Sequence, residues 1–299
     1  MYRVFIASAV VVIYIASAFS ADTSVKIVNG DDANIEDHQW MVSIQVKTYR
    51  EAVTETHVCG GAIIDRSWVL TAAHCGNAYD PLDMKIVAGS SFLSKMKTRI
   101  PVKKYYEHEN YTGSENDLML LQLKTPLKFG STINKIDLDT DIEKNYTGEV
   151  CTISGWGNTN SGDGTNKPDR LQVVSMSVVT NDHCHAGYLD IFPDKFLNKI
   201  CLQEGEKDSC NEDSGGPMVC SKKLVGILNL GISPCKGRIP SIYARVSAYT
   251  DWIKEKMKIK KKKNKKDLKS KNNQKNKKDK KSKNNRNNKN ENKNNKKNQ

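Results

Sequence analysis

Short apolar or alternating runs, separated by turns that contain Gly, Asn or Asp, extend along the chain from residue 27 to residue 246. Runs of this length and spacing are typical of antiparallel β-strands. The clearest predicted strands are residues 40–46, 61–64, 118–123, 171–179 and 224–230. The pattern predicts an all-β fold with a single helix, at residues 246–257. Ser247 is suited to cap that helix, and Tyr249, Trp252 and Ile253 share one apolar face.

Lys and Asn dominate the sequence after the predicted helix. Residues 258–299 contain 19 Lys, one Arg and three acidic residues, a net charge of +17, and the rest of the chain carries −4. A segment with so little apolar area cannot offset its ordering entropy, so we expect a disordered tail. The charge suits attachment to polyanions such as glycosaminoglycan, nucleic acid or acidic lipid. A neutral low-complexity expansion is the alternative.

The first 20 residues have the features of a secretory signal peptide. Arg3 precedes an apolar stretch at residues 4–19, and Ala18 and Ser20 are small residues at the positions that a signal peptidase reads. The stretch is short for a membrane anchor, and no stop-transfer segment follows it. We therefore expect export to the extracellular space and no transmembrane segment in the mature protein.

Export changes the interpretation of the eight cysteines. Disulfides persist in oxidising compartments, so the cysteines indicate a disulfide framework and not a metal site. Spacing alone leaves about 100 pairings open.

Two Asn-Tyr-Thr sequences, at Asn110 and Asn145, fit the acceptor pattern for N-glycosylation in a secreted chain. We expect both to lie on surface loops.

Three short segments carry the groups that nucleophilic acyl transfer requires. His74 lies in Thr-Ala-Ala-His-Cys, Asp117 in Asn-Asp-Leu-Met-Leu-Leu, and Ser214 in Asp-Ser-Gly-Gly-Pro. A serine hydroxyl is a poor nucleophile at neutral pH, so it needs a base and a third group that holds the base. Asp117 begins an apolar strand, where a carboxylate is costly unless it is paired.

These strings and their order, His then Asp then Ser, resemble the trypsin and chymotrypsin family of serine endopeptidases from residue 27 to about residue 253. The resemblance implies two six-stranded antiparallel barrels, with the active site between them, in a peptidase domain at residues 27–257. It implies Ser214 as nucleophile, His74 as general base and then acid, and Asp117 as the partner of His74 Nδ1.

The resemblance also selects one disulfide pairing. The implied pairs are Cys59–Cys75, Cys151–Cys220, Cys184–Cys201 and Cys210–Cys235. We expect no metal and no cofactor, because residues 88–106, which would form the family's calcium loop, contain no carboxylate.

Asp208, six residues before Ser214, resembles the pocket-floor charge of trypsin, with Ser209 beside it. A substrate Lys or Arg that neutralises a buried carboxylate gains binding energy, so cleavage after basic residues is implied. Gly231 leaves room for the substrate backbone, although Asn229-Leu230-Gly231 stands where the family has Ser-Trp-Gly. Ser241 replaces a pocket-wall glycine and is expected to disfavour Arg more than Lys.

A larger departure from the family is Glu212, which stands where the family has glycine. The backbone N–H groups of Glu212 and Ser214 would form the oxyanion hole. The donor remains, but the backbone geometry is harder to reach than with glycine, and an anion is added near a site that must stabilise negative charge.

Asp213 is expected to control activation. Cleavage after Lys26 would free the α-amino group of Ile27, which is largely cationic at neutral pH, to pair with the Asp213 carboxylate. Residues 21–26 are then a propeptide, and the chain is a zymogen.

The sequence thus predicts a secreted, trypsin-like serine endopeptidase. We expect a monomer whose partners are protein or peptide substrates and protein protease inhibitors, with a tail that binds polyanions. One alternative is a weakly active or non-catalytic homologue that acts by binding, its oxyanion hole impaired by Glu212. Another is a polyanion-binding protein that carries the protease domain as cargo.

Overall fold

The computed structural model describes residues 30–49, 53–158, 167–189, 198–231 and 235–258. The predicted signal peptide, the Lys26–Ile27 junction and the tail beyond residue 258 lie outside the described residues. The strands of the described part form two closed antiparallel barrels, each with six strands. The predicted all-β, two-barrel fold is confirmed.

The first barrel is formed by the N-terminal half of the chain. Its strands run in the order β2-β3-β4-β7-β6-β5 and close by pairing of β2 with β5. They are β2 (Met41–Tyr49), β3 (Val53–Asp65), β4 (Trp68–Thr71), β5 (Met84–Ala88), β6 (Thr98–Glu107) and β7 (Met119–Leu123). Every residue of β4 and β7 is buried, because both strands have one face in the barrel core and the other under surrounding chain.

The second barrel has the order β9-β10-β11-β14-β13-β12 and closes by pairing of β12 with β9. Its strands are β9 (Val150–Gly155), β10 (Gln172–Val179), β11 (Lys199–Gln203), β12 (Pro217–Cys220), β13 (Lys223–Leu230) and β14 (Ser241–Arg245). Two short strands extend it: β1 (Asp31–Asp32) pairs with β10, and β8 (Asp137–Leu138) runs parallel to β13. Alternate residues of β10 are buried, as a strand with one core face requires.

The predicted C-terminal helix is confirmed, but it is not the only helix of the described residues. A six-residue helix, α1 (Asn181–Ala186), follows β10 and is capped by the Thr180 side chain, which accepts a hydrogen bond from His183 N. Six residues are too few to show the 3.6-residue periodicity on which the sequence argument depended. Short 3-10 turns occur at Ile35–Asp37, Ala73–Cys75, Pro81–Asp83 and Leu93–Lys95.

The C-terminal helix differs from its prediction at its start. The chain forms a 3-10 turn at Val246–Tyr249 and continues as helix α2 through residues 250–258. Ser247 lies inside the turn and is not its N-cap, because the N-cap residue is Arg245. The Ser247 hydroxyl accepts a hydrogen bond from Arg245 Nε at 3.0 Å. None of the described helices combines the length and apolar character that a membrane span needs.

Helix α2 is fastened to the loop that follows β6. The His108 ring lies 5.5 Å from the Tyr249 ring and 5.1 Å from the Trp252 ring, measured between centroids. Glu109 accepts a hydrogen bond from Trp252 Nε1 at 2.8 Å and forms an ion pair with Lys256. The same loop leads to Asp117, so helix α2 supports the approach to the predicted catalytic carboxylate.

Candidate active site

Strand pairing in the first barrel brings His74 and Asp117 together. Strands β4 and β7 are antiparallel, with Thr71 opposite Met119, so the residues just after β4 meet those just before β7. Asp117 Oδ2 lies 2.6 Å from His74 Nδ1, and Asp117 Oδ1 accepts a hydrogen bond from the His74 backbone N–H at 2.9 Å. The Asp117 side chain is fully buried. Two hydrogen bonds to one residue therefore fix both the position and the orientation of the imidazole.

Ser214 lies in a tight turn before β12, in the second barrel. Its carbonyl accepts a hydrogen bond from Gly60 N in β3 at 2.9 Å, which joins the two barrels at this point. His74 and Ser214 line one cleft of about 320 Å³. No hydrogen bond joins the Ser214 hydroxyl to His74 among the contacts of the described residues, and such bonds are often long before substrate binds.

The backbone N–H groups of Glu212 and Ser214 donate no hydrogen bond within the described part of the chain. Their neighbours are satisfied, since Asp213 N donates to Cys210 O at 3.0 Å and Gly215 N donates to Leu228 O at 2.8 Å. Two free donors, one on the nucleophile and one two residues before it, are the groups that an oxyanion requires.

Glu212 has a φ of +74°, in the left-handed region that favours glycine. The sequence indicated an added anion at this position. The structure pairs that anion, because Glu212 Oε1 forms an ion pair with Lys167. Its other oxygen, Oε2, is buried and has no hydrogen bond among the described residues. The substitution of glycine thus changes backbone strain and adds a paired charge at the edge of the cleft.

Asp213 is the middle residue of the Glu212–Ser214 turn, and it is almost completely buried. Its carboxylate accepts hydrogen bonds from Gly157 N at 2.8 Å and Cys210 N at 3.0 Å. Burial nevertheless raises the pKa of Asp213 to about 7, and the backbone donors oppose that change only in part. Such a carboxylate gains much from a nearby cation, and its predicted partner, the Ile27 α-amino group, lies outside the described residues.

Asp208 is also buried, and the two residues that follow it, Ser209 and Cys210, line the cleft. The Ser241 hydroxyl donates to Asp208 Oδ1 at 2.6 Å, and Gly237 N donates to Oδ2 at 3.1 Å. Burial raises the pKa of Asp208, whereas these hydrogen bonds favour its charged form. Ser241 therefore occupies one side of the carboxylate that a substrate cation would approach.

Gly231, Asn229 and Leu230 line the same cleft as the predicted nucleophile. Asn229 Nδ2 donates a hydrogen bond to Ser114 O at 3.1 Å and makes none to Asp117 among the described residues. The polar side chain at this position thus holds the loop before Asp117.

The structure forms the four disulfides that the resemblance implies: Cys59–Cys75, Cys151–Cys220, Cys184–Cys201 and Cys210–Cys235. The first fixes the turn that carries His74. Cys59, His74 and Cys75 are the one cluster of potential metal ligands in the described ranges, but the two sulfurs are bonded to each other and are not available to an ion.

Asn110 and Asn145 are exposed and lie outside strands and helices, as an acceptor asparagine must. Glycosylation at either residue stays a prediction.

Three residues near the site carry no sequence signal of their role: Lys167, His57 and Lys199. Lys167 is 45 positions from its partner Glu212 in the chain. His57 is buried near the Glu212 backbone and contacts Ser43 Oγ through Nδ1 at 2.8 Å. Burial lowers the pKa of His57 to about 4, although the nearby Glu212 backbone favours the charged form.

Comparison with known proteins decides the family. The trypsin family model matches residues 27–253. The chain belongs to the trypsin family. It is 35% identical to a trypsin of Phaedon cochleariae over 267 residues, which cover 87% of this chain and 100% of that trypsin. Snake venom serine protease KN9 of Trimeresurus stejnegeri is 32% identical over 79% of this chain and 89% of that protein.

A solved structure supports the same assignment. Neuropsin, a serine protease expressed in the limbic system of mouse brain, matches with a TM-score of 0.66 and 29% sequence identity. The match covers 77% of this chain and 100% of the solved one. The trypsin family consists of hydrolases that act on protein substrates, so the cleft of this member is a candidate peptidase site.

Proposed function

We propose that this trypsin-family chain is a secreted serine endopeptidase that cleaves peptide bonds after Lys or Arg. The observation that carries the proposal is the buried Asp208 carboxylate, which directly precedes Ser209 and Cys210, two residues of the cleft that His74 and Ser214 share. A substrate Lys or Arg whose side chain pairs with Asp208 would have its backbone carbonyl carbon at the mouth of the cleft, next to the nucleophile.

The chemistry would follow from the contacts at the site. The Ser214 hydroxyl attacks the scissile carbonyl carbon while His74 Nε2 takes its proton, and Asp117 stabilises the resulting imidazolium through Nδ1. The carbonyl oxygen becomes an oxyanion that accepts hydrogen bonds from the N–H groups of Glu212 and Ser214. His74 then gives the proton to the leaving amine, and a water molecule, activated in the same way, hydrolyses the acyl-enzyme.

Zymogen activation belongs to the same proposal. The raised pKa of Asp213 indicates a carboxylate with too few favourable contacts for full ionisation near neutral pH. The Ile27 ammonium released by cleavage after Lys26 would supply the missing charge and hold the Glu212–Ser214 turn in its active form. A Lys26→Gln precursor should therefore fold and remain inactive, and full activity of that unprocessed variant would refute this part.

The decisive experiment compares small esters of Lys, Arg, Phe and Leu on the enzyme cleaved after Lys26. We expect the Lys and Arg esters to be hydrolysed much faster, Lys ahead of Arg because of Ser241, and Asp208→Ser to remove the difference. Asp139→Asn, which changes another buried carboxylate outside the cleft, is the matched control and should keep the preference.

An active-site phosphonate tests the non-catalytic alternative. Labelling of the cleaved protein that disappears in Ser214→Ala supports the enzyme. Absence of both labelling and ester hydrolysis would instead favour a homologue that acts by binding.

A further inference from the structure

A buried lysine lies at the edge of the candidate active site. Lys199 is the first residue of β11, opposite Ala244 of β14, and only 4% of its side chain is exposed. It lines the same cleft as His74 and Ser114. Burying an ammonium is costly unless the charge is paired and hydrogen-bonded, so the groups around Lys199 must compensate.

The partners of Lys199 belong to the segment that leads to Asp117. Its Nζ donates to the Ser114 carbonyl oxygen and lies 3.4 Å from Glu115 Oε1. Asn229 Nδ2 donates to the same carbonyl at 3.1 Å. Ser114 and Glu115 precede Asp117 by three and two residues. Two side chains of the second barrel therefore hold the segment from which the catalytic carboxylate arises.

Asp117 depends on this support. The hydrogen bonds that its carboxylate makes to described residues both come from His74, one from the backbone and one from the ring. The segment is also held at Asn116, which has a φ of +55° and accepts a hydrogen bond from Tyr249 OH at 3.3 Å. Lys199 adds the only cation that contacts this segment in the described chain.

We propose that Lys199 is a positioning residue that holds segment 114–117 in place, so that the Asp117 carboxylate meets the His74 ring. The inference rests on the proposed function, in which His74 is the general base. Loss of the Lys199 contacts to Ser114 and Glu115 would let the segment move and would misplace the carboxylate that orients the imidazole.

The charge of the region is set by few groups. Burial lowers the pKa of Lys199, but Glu115 and Asp117 oppose that change and favour the ammonium. Tyr249 faces Glu115 and Asp117, and Tyr111 faces Asp117 and Glu107; burial raises the pKa of both tyrosines, that of Tyr249 to about 12. The tyrosines therefore stay neutral where the enzyme would work, and Lys199 and Glu115 form the ion pair that a variant can change without touching His74 or Asp117.

The test compares Lys199→Met, Lys199→Arg and Glu115→Gln, all in the enzyme cleaved after Lys26. Values of kcat and KM are measured with a small Lys ester, and stability is measured by denaturant titration. We expect Lys199→Met to lower kcat about tenfold with little change in KM, because the base is less well positioned. Lys199→Arg keeps the cation and should recover most of that loss. Glu115→Gln leaves the contact of Lys199 with the Ser114 carbonyl and should lower kcat by a smaller factor.

A purely structural lysine would affect stability and leave kcat in place, so a Lys199→Met enzyme with the parent kcat would overturn the proposal. If Lys199→Met does not fold, a kcat of Glu115→Gln equal to that of the parent overturns it. The backbone NMR resonances of residues 114–117 in a Ser214→Ala background give the same comparison without turnover, because a displaced segment shifts them. A parent enzyme that neither hydrolyses the ester nor reacts with a phosphonate would refute the proposed function and leave this spectrum as the test of the inference.

Discussion

Glu212 combines a left-handed backbone with a charged side chain at the edge of the candidate oxyanion hole. A non-glycine residue in this conformation lowers the free energy of unfolding by about 1 kcal/mol. An exposed ion pair such as Lys167–Glu212 raises it by about 1 kcal/mol at most. The free N–H of Glu212 is still present, so the substitution alters the geometry of a donor without removing it. Its consequence should appear in rate and recognition more than in stability.

We predict that Glu212→Gly raises turnover of small basic esters severalfold, because glycine reaches the required φ without strain. The gain should remain below the roughly hundredfold effect of losing a whole oxyanion donor. The variant should also bind a Kunitz-type inhibitor more tightly, since the side chain no longer obstructs residues after the scissile bond. Steady-state rates and inhibition constants give both values.

Lys167→Met separates backbone strain from charge at this position. It leaves residue 212 as Glu and removes the cation that pairs with it. A fall in turnover would show that the unpaired anion disturbs the oxyanion. If neither variant changes turnover or inhibitor affinity, Glu212 is a tolerated surface residue.

His57 predicts an acid-sensitive contribution to stability. The unfolded chain binds a proton at this residue below about pH 6.5, whereas the folded protein, with the pKa of His57 lowered to about 4, does not. The contribution of His57 to the free energy of unfolding is therefore fully present above about pH 6.5. It decreases by about 3 kcal/mol in total as the pH falls from about 6.5 to about 4.

Urea unfolding of the parent and of His57→Gln at several pH values between 4 and 7 measures this contribution. The difference between the two proteins is the quantity to use, because the raised pKa of Asp213 acts in the opposite direction over part of the same range. Parallel pH profiles for the parent and the variant would contradict the prediction.

At the scale of the element, the turn before β12 depends on one glycine. Gly215 has a φ of +74°, and a Cβ there would lie 2.1 Å from Thr71 Oγ1 and 2.8 Å from Gly60 O. Thr71 and Gly60 belong to the first barrel, and they are joined by a hydrogen bond of 2.9 Å. The turn that carries Ser214 thus sits against the other barrel with no room for a side chain.

Gly215→Ala should therefore destabilise the fold by about 3 kcal/mol or more, through strain and overpacking. Gly130→Ala is the matched control, because a Cβ at Gly130 meets nothing within 4 Å and its φ is not positive. That change should alter stability by about 0.5 kcal/mol, toward greater stability. Equal midpoints of the two variants in denaturant titrations would show that the barrels adjust.

The sequence predicted those parts of the site that depend on local strings. His74, Asp117 and Ser214 lie in segments short enough to read directly, and β-strand periodicity located the central strands of both barrels. Lys199, by contrast, follows Asn198 and reads as a solvated residue, because its burial arises only when β11 pairs with β14. The Lys167–Glu212 pair and the disulfides join distant positions, which spacing alone does not pair.

At the scale of the whole molecule, charge divides the chain into mildly acidic residues 1–257 and a basic tail, residues 258–299. The +17 of residues 258–299 contrasts with −4 for the rest. Electrostatic attachment through such a tail depends on counterion release and weakens steeply with salt. The tail would then determine to which surface the protein is attached and would leave the chemistry of the cleft unchanged.

Truncation after Met257 should abolish retention on heparin and leave turnover of a small ester unchanged, because Lys256 and its contact with Glu109 are kept. A tail of equal length with Gln in place of each Lys is the control for chain length and should also fail to bind. Retention of the truncated enzyme equal to that of the parent, on a salt gradient, would show that the folded part binds instead.

The clamp between α2 and the loop after β6 gives the tail a mechanical consequence. Glu109 is held by Trp252 and Lys256, one turn apart near the end of the folded chain, and the same loop continues to Asp117. Tension on a tail anchored to a surface would act first on α2 and would be transmitted through this clamp to Asp117, the predicted catalytic carboxylate. The enzyme would then respond to load, with turnover that differs between the tethered and the free state.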